Sequence, residues 1–257
     1  MTFSKDLYKN KIALVTGGGS GIGKAIARQL LQAGATVYIA SRKEEKLQKA
    51  IADLKEYGPV DYFVCDIREP EQIQAMADGI KEKNNRLDIL VNNAGGQFPS
   101  LAEDISEKGW NAVINNNLNG TFYVTRTMAR TFFIPQKSGN IVNIIVNIYR
   151  GFPGMAHTGA ARAGVDNLTK TLAVEWCKHN IRINAVAPGL IQSTGMDNYP
   201  PELVQGLADT IPMKRLGSTD EVAYLTLFLA SPMAEYITGE TVYIDGGQRL
   251  HGQQFQI

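Results

Sequence analysis

The chain has 257 residues, with 26 basic and 25 acidic side chains, a formal net charge of +1, 44% hydrophobic residues and 25 glycines. So small a net charge leaves no electrostatic footprint for nucleic acid or an anionic membrane, and so apolar a composition excludes a disordered chain. Two cysteines, Cys65 and Cys177, cannot build a disulfide framework and suit a reduced compartment.

The opening MTFSKDLYKN lacks the apolar core of a secretory leader, no apolar run reaches the roughly 18 residues of a spanning helix, and the final Phe255-Gln256-Ile257 is not a peroxisomal address. These features predict a soluble, cytoplasmic protein. From there the pattern alternates. A buried strand is expected over 12–16, closed by glycines, then a helix over 23–32 with Ala25, Ile26 and Leu30 at helical spacing and Gly34 as its cap. A second strand is expected over 36–40, a helix over 44–56, a strand over 62–65, a helix over 70–84 and a strand over 89–91. The rhythm continues with strands over 141–145, 181–186 and 241–244, and a helix over 157–178 that is rich in small residues. Continuous apolar strands separated by helices predict a parallel sheet buried on both faces. Right-handed crossovers make it a three-layer, doubly wound, Rossmann-type α/β fold of about seven strands. With no linker, repeat or low-complexity tract, 1–257 is expected to be one domain, with an insertion at about 190–217.

The junction of the first strand and helix reads Thr16-Gly17-Gly18-Gly19-Ser20-Gly21-Ile22-Gly23. A pyrophosphate at a helix N-terminus needs backbone that turns tightly and approaches closely, which glycine allows. The ribose discriminator belongs at the end of the second strand, about 20 residues on. There the sequence has Ser41-Arg42-Lys43 and no acid. Two cations favour a 2′-phosphate, hence NADPH over NADH, unless Arg42 and Lys43 merely open a solvated helix. Asp66 and Ile67, ending the third strand, would frame the adenine. No His/Cys/Asp/Glu cluster has metal-ligand spacing, so no metal is expected.

Further motifs join these in order and at matching spacing: Asn92-Asn93-Ala94-Gly95, Asn117-Leu118 after Trp110, Pro188-Gly189 and Asp245-Gly246-Gly247. With Gly17, Gly21 and Gly23 they resemble the short-chain dehydrogenase/reductase family over nearly the whole chain. That family usually carries an Asn-Ser-Tyr-Lys active site. Asn117 fits the asparagine. The Tyr-x-x-x-Lys stretch is here Thr158 to Arg162, and the serine position falls at Ile145-Val146, so three of the four residues are replaced. Gly95-Gly96-Gln97-Phe98, Asn143-Ile144-Ile145-Val146 and the run from His157 to Gly164 are similar to the peroxisomal-type trans-2-enoyl-CoA reductases, which also lack the tyrosine and lysine. The related 2,4-dienoyl-CoA reductases use a tyrosine further upstream, and Tyr149 stands in a comparable place.

The resemblance implies that Asn93, Ala94, Gly95, Pro188, Gly189, Ile191 and Thr194 lie at the cofactor, with Arg162 on the nicotinamide ribose. It also implies a homotetramer. Candidate catalytic residues are Asn117, Tyr149, Thr158 and Arg162; His157 is read as a capping or packing residue. Thr158 is too weak an acid, and Arg162 too strongly protonated, for ordinary ketone reduction. Conjugated C=C reduction asks only for a donor to an enolate oxygen and fixed positive charge. The expectation is therefore NADPH-dependent reduction of an enoyl thioester, with 190–217 as a lid over its acyl chain. The rivals are a 2,4-dienoyl thioester reductase, an atypical 3-oxoacyl or carbonyl reductase, and an NADPH-binding protein without catalysis.

Overall fold

The apolar runs of the sequence meet side by side in the middle of a seven-stranded, all-parallel sheet. The computed structural model describes residues 3–196 and 205–251. The first half is β1 (Ile12–Thr16), α1 (Gly21–Gln32), β2 (Thr36–Ser41), α2 (Glu44–Leu54), β3 (Val60–Val64), α3 (Pro70–Asn84) and β4 (Ile89–Asn92). The second adds α4 (Glu107–Ile114), α5 (Gly120–Met128), the single turn α6 (Ile134–Gln136), β5 (Gly139–Ile144), α7 (Ala156–Trp176) and β6 (Ile181–Pro188). It closes with β7 (Ile191–Gln192), β8 (Gly217–Ser218), α8 (Thr219–Ala230) and β9 (Thr241–Ile244). The sheet order β3-β2-β1-β4-β5-β6-β9 reverses direction between β1 and β4, which places the ligand crevice at the carboxyl ends of those two strands.

Each face of the sheet has its own core, because successive side chains of a strand point to opposite sides. Ala13 and Val15 of β1 pack with Ile26, Leu30, Val37, Ile39 and Leu227 under α1, α2 and α8. Leu14 packs on the other side with Ile73, Met76, Leu90, Val124 and Phe132 under α3 and α5. With both faces covered, the central strands need no polar alternation, and β1 and β4 are buried along their whole length.

Helix ends follow their capping residues. Gly34, at φ +94°, ends α1 as expected. Pro70 opens α3, and Asn85 closes it in the left-handed region. Ser218 and Glu221 form a reciprocal capping box on α8. The expected strands and helices end within two residues of the observed ones, and two of the differences have a local cause. β3 begins at Val60 and stops at Val64, because it is an edge strand whose extent is set by pairing with Val37–Ser41 of β2 rather than by burial. α1 begins at Gly21, two residues early, because glycine can enter the helix directly from the turn. From α4 to α6 the backbone is one helical path widened by two π turns, Asn115–Asn119 and Ala129–Phe133.

β7 pairs with β8, which brings the two ends of the expected insertion side by side. Of the apolar residues expected in this insertion, Tyr199, Pro200, Pro201 and Leu203 lie outside the described residues. No helix among the described residues is long and apolar enough to cross a membrane.

Candidate active site

The glycine-rich turn is tied to the loop after β4 by one threonine and one asparagine. The Thr16 Oγ1 accepts from the backbone N–H groups of Asn93 and Ala94, each at 3.0 Å, and donates to the Val91 carbonyl at 3.3 Å. The Asn93 amide nitrogen donates back to the carbonyls of Thr16 (3.1 Å) and Gly17 (3.3 Å). The knot leaves no room for side chains at two glycines. Gly17 sits at φ +67°, and a Cβ on it would fall 2.7 Å from Asn93 Nδ2; one on Gly23 would overlap the Gly17 carbonyl oxygen. Gly19 has ordinary clearance, and Gly21, at φ +53°, faces the Thr194 Oγ1. Ser20 is extended and makes no side-chain cap, and the first turn of α1 holds no acid. Its first amides and the positive end of the helix dipole are therefore available to a phosphate. Ile22 is partly buried against the core below.

At the end of β2, Ser41 is half-buried, and the Arg42 side chain is 54% exposed. Asp66 lies 3.9 Å from Arg42 but is gripped by Arg68, with Nε on Oδ1 at 2.9 Å and Nη2 on Oδ2 at 2.5 Å. These hydrogen bonds from Arg68, helped by the charge of Arg42, hold the Asp66 carboxyl below its usual range against the opposing effect of burial. Lys43 has no carboxylate within ion-pair distance among the described residues, and Glu44 is taken by the Tyr62 hydroxyl at 2.9 Å. Ile67 turns inward, so tight against Gly120 that a Cβ there would fall 2.8 Å from Ile67 Cδ1. Burial, with Asp66 beside it, pushes the Cys65 thiol up to about 11, as for an inert core residue.

Asn117 and Arg162 come together under Gly95, with Thr158 one turn before Arg162 on α7. Asn117 sits in the first π turn, fully buried, its Nδ2 donating to the carbonyls of Gly96 (2.7 Å) and Val113 (2.9 Å). Its Oδ1 accepts from the Gly96 N–H at 3.3 Å. π turns recur at functional sites because the extra residue re-aims a side chain. A Cβ on Gly95 would overlap the Arg162 guanidinium and fall 2.6 Å from Asn117 Oδ1, so only glycine fits. Arg162 is 7% exposed; its Nη1 donates to the Ile144 carbonyl at 3.1 Å, and its buried Nε has no partner. No carboxylate pairs with it among the described residues, and burial pulls its pKa down to about 10. Thr158, one turn earlier on α7, is fully buried, with its Oγ1 3.3 Å from His157 Nδ1.

Tyr149 does not join this group by any described hydrogen bond or ring contact. It is 61% exposed in the loop after β5; its N–H donates to Asn147 Oδ1, and its ring meets Tyr243 edge-on at 6.2 Å. The sequence pattern also missed a latch between the loop after β5 and the turn after β9. Asn147 donates to Asp245 Oδ2 at 3.1 Å, and the N–H groups of Gly247 and Arg249 donate to the same carboxylate at 3.0 and 2.9 Å. Asp245-Gly246-Gly247 was its visible half. Gly189 fits beneath, where a Cβ would fall 2.8 Å from the Asp245 Cβ; Pro188 ends β6 and Ile191 is buried in the core.

This arrangement fits a nicotinamide dinucleotide. The Gly17–Gly23 cradle is one that side chains would fill, the α1 amides are available, and the orphaned Arg162 Nε belongs to a donor set suited to ribose hydroxyls.

Comparison with known proteins agrees. The family model described as Enoyl-(Acyl carrier protein) reductase matches residues 17–249. The 3-oxoacyl-(acyl-carrier-protein) reductase of Thermotoga maritima is 40% identical, over 93% of this chain and 98% of its own length. A probable 2,4-dienoyl-CoA reductase of Bacillus subtilis is 38% identical, over 96% and 100%. Among solved structures, a short chain dehydrogenase from Bacillus anthracis superposes with a TM-score of 0.90 at 41% identity, covering 97% of this chain and 100% of that one. With its parallel sheet, its glycine-rich cradle and these relatives, the chain belongs to the short-chain dehydrogenase/reductase family of oxidoreductases.

Proposed function

We propose that the protein reduces the carbon–carbon double bond of an enoyl thioester, with NADPH as cofactor. The observation that carries this reading is the pair Thr158 and Arg162, both buried and one turn apart on α7, with Arg162 and Asn117 under Gly95. A ketone oxygen must receive a proton from an acid, and a threonine hydroxyl is too weak for that role. Arg162 keeps its proton too, since even its lowered pKa of about 10 is far above neutrality. An enoyl thioester makes other demands. Bound NADPH supplies a hydride to the β-carbon, negative charge moves to the thioester oxygen as an enolate, and the α-carbon then takes a proton from water, giving the saturated thioester. The Thr158 hydroxyl donates to the enolate oxygen. Arg162 orients the ribose and supplies fixed positive charge in a site of low dielectric. Asn117 pins Gly96 and so shapes the loop above them. Arg42 and Lys43 favour a 2′-phosphate, and 190–217 covers the acyl chain.

We place the enzyme in the cytoplasm, where unpaired Cys65 and Cys177 remain reduced. The test is NADPH consumption with crotonyl-CoA and dodecenoyl-CoA. Turnover is expected with enoyl substrates and not with 3-oxoacyl thioesters, and Thr158→Val should lower kcat by about a hundredfold, the loss typical of one oxyanion donor. A protein that binds NADPH and turns over neither substrate would sink the reading. The exposed phenol of Tyr149, on the loop after β5, supports a second one, reduction of a 2,4-dienoyl thioester. Loss of dienoyl turnover in Tyr149→Phe would select it.

A further inference from the structure

His157 and Thr158 open α7 together. The helix cap, Met155, offers no side-chain acceptor to the first turn, although several N–H groups there have no partner within the helix. His157 provides one: its ring Nδ1 accepts from the Thr158 backbone N–H at 2.8 Å and stands 3.3 Å from the Thr158 Oγ1. A nitrogen that accepts a backbone N–H carries no proton, so the ring proton lies on Nε2. Both residues are fully buried, and Phe98 closes over the imidazole edge-on, ring centres 4.5 Å apart.

We infer that His157 is a positioning residue: its Nδ1 accepts the Thr158 N–H and so fixes Thr158 at the start of α7 only while the imidazole is neutral, leaving the single hydroxyl proton of Thr158 for the thioester oxygen. The inference rests on the role given above to Thr158. A proton relay does not fit the same geometry, because the buried Nε2 has no hydrogen-bond partner among the described residues to which its proton could pass.

The surroundings keep the ring neutral. Burial lowers its proton affinity below the ordinary imidazole value, and the Met155 carbonyl only partly opposes this. On its own helix the nearest charge is that of Arg162, one turn on. The loop from Asn93 to Ser100 has no titratable side chain. The loop before α7 has Tyr149 and Arg150, which engage Tyr243 and the His251 carbonyl. On α4, Glu107 lines the groove beside Ala156. Protonation would set an Nδ1–H against the Thr158 N–H and so displace Thr158 from its place at the start of the helix.

The test compares His157→Ala and His157→Asn in the full chain, measuring kcat and KM with NADPH and crotonyl-CoA across pH. His157→Ala should lower kcat by about tenfold with little change in KM or in NADPH affinity, the loss of one orienting hydrogen bond. Asparagine, whose side-chain oxygen reaches the Nδ1 position, should recover most of that loss. Wild type should lose turnover as pH falls below the ordinary imidazole range, and His157→Asn should not. An asparagine variant as poor as alanine, or one that keeps the acid limb, overturns the inference. Nitrogen-15 shifts of the three histidines supply a readout that needs no turnover. They should show His157 neutral and protonated on Nε2 at pH 7. Protonation on Nδ1 overturns the inference whether or not enoyl thioesters are reduced. Full turnover in Thr158→Val, with the expected tautomer intact, overturns the functional reading instead.

Discussion

Burial takes water from the Arg162 guanidinium without giving it a carboxylate among the described residues, leaving its charge to the Ile144 carbonyl. An uncompensated buried charge costs several kcal/mol, and its orphaned Nε leaves part of that cost for a bound acceptor to offset. A lysine in the same place would be a point charge with a readily shifted pKa; arginine keeps its proton and its planar fork. Arg42 is the contrasting case. Exposed, and 3.9 Å from a carboxylate already held by Arg68, it is available to a phosphate. Arg42→Ala should weaken NADPH binding by about ten- to a hundredfold, the range for a hydrogen bond to a charged group, and leave NADH binding nearly unchanged; titration calorimetry with both cofactors checks this. Equal losses for the two would mean that Arg42 does not meet the 2′-phosphate. The glycines of this region were legible in the sequence, because close approach of backbone admits no other residue. The partner of the Thr158 N–H was not, since a sequence does not show the rotamer of His157.

The elements that carry these residues are held by polar contacts as well as by packing. Asn143 of β5 donates to Thr169 of α7 at 2.9 Å and accepts from Asn92 of β4, which also donates to Thr125 of α5. This buried chain fixes the rotation of α7 about its axis, and with it the direction of Thr158 and Arg162. α8 is held differently. Glu221 receives the Ser218 N–H and both terminal nitrogens of Arg215. The hydrogen bonds from Arg215, then that from Ser218, lower the Glu221 pKa from 4.5 to about 2. The sign follows from the depressed value: between the two the unfolded chain binds the extra proton, so the stabilisation is complete above pH 4.5 and is lost as pH falls towards 2. Wild type should therefore lose more stability than Arg215→Ala over that interval, measured by urea unfolding at fixed pH; parallel curves would rule the coupling out. Long central elements were read from periodicity alone. β3 slipped because an edge strand is defined by its neighbour, and the π turn at Asn117 escaped because apolar spacing does not reveal one inserted residue.

Across the whole molecule, the order of apolar runs was sufficient to predict a doubly wound sheet, since parallel strands buried on both faces leave few other topologies. The Asp245 latch was only half visible, because Asn147 lies about a hundred residues away and no local pattern joins them. Assembly is a further matter at this scale. Val174 on α7 is 80% exposed and Trp110 on α4 is 39% exposed, apolar surface on two helices that we propose to pair across two-fold axes. A homotetramer is expected by light scattering at micromolar concentration, and a monomer there would count against it. The Thr16–Asn93 knot has one more consequence. It binds β1 to β4, while Arg42 and Lys43, the cations proposed to meet the adenine ribose, follow β2 on the other side of β1. Choice of cofactor and choice of reaction are thus anchored to different strands with a rigid joint between them. An engineer, or a lineage, can rewrite one of these choices without having to rebuild the other.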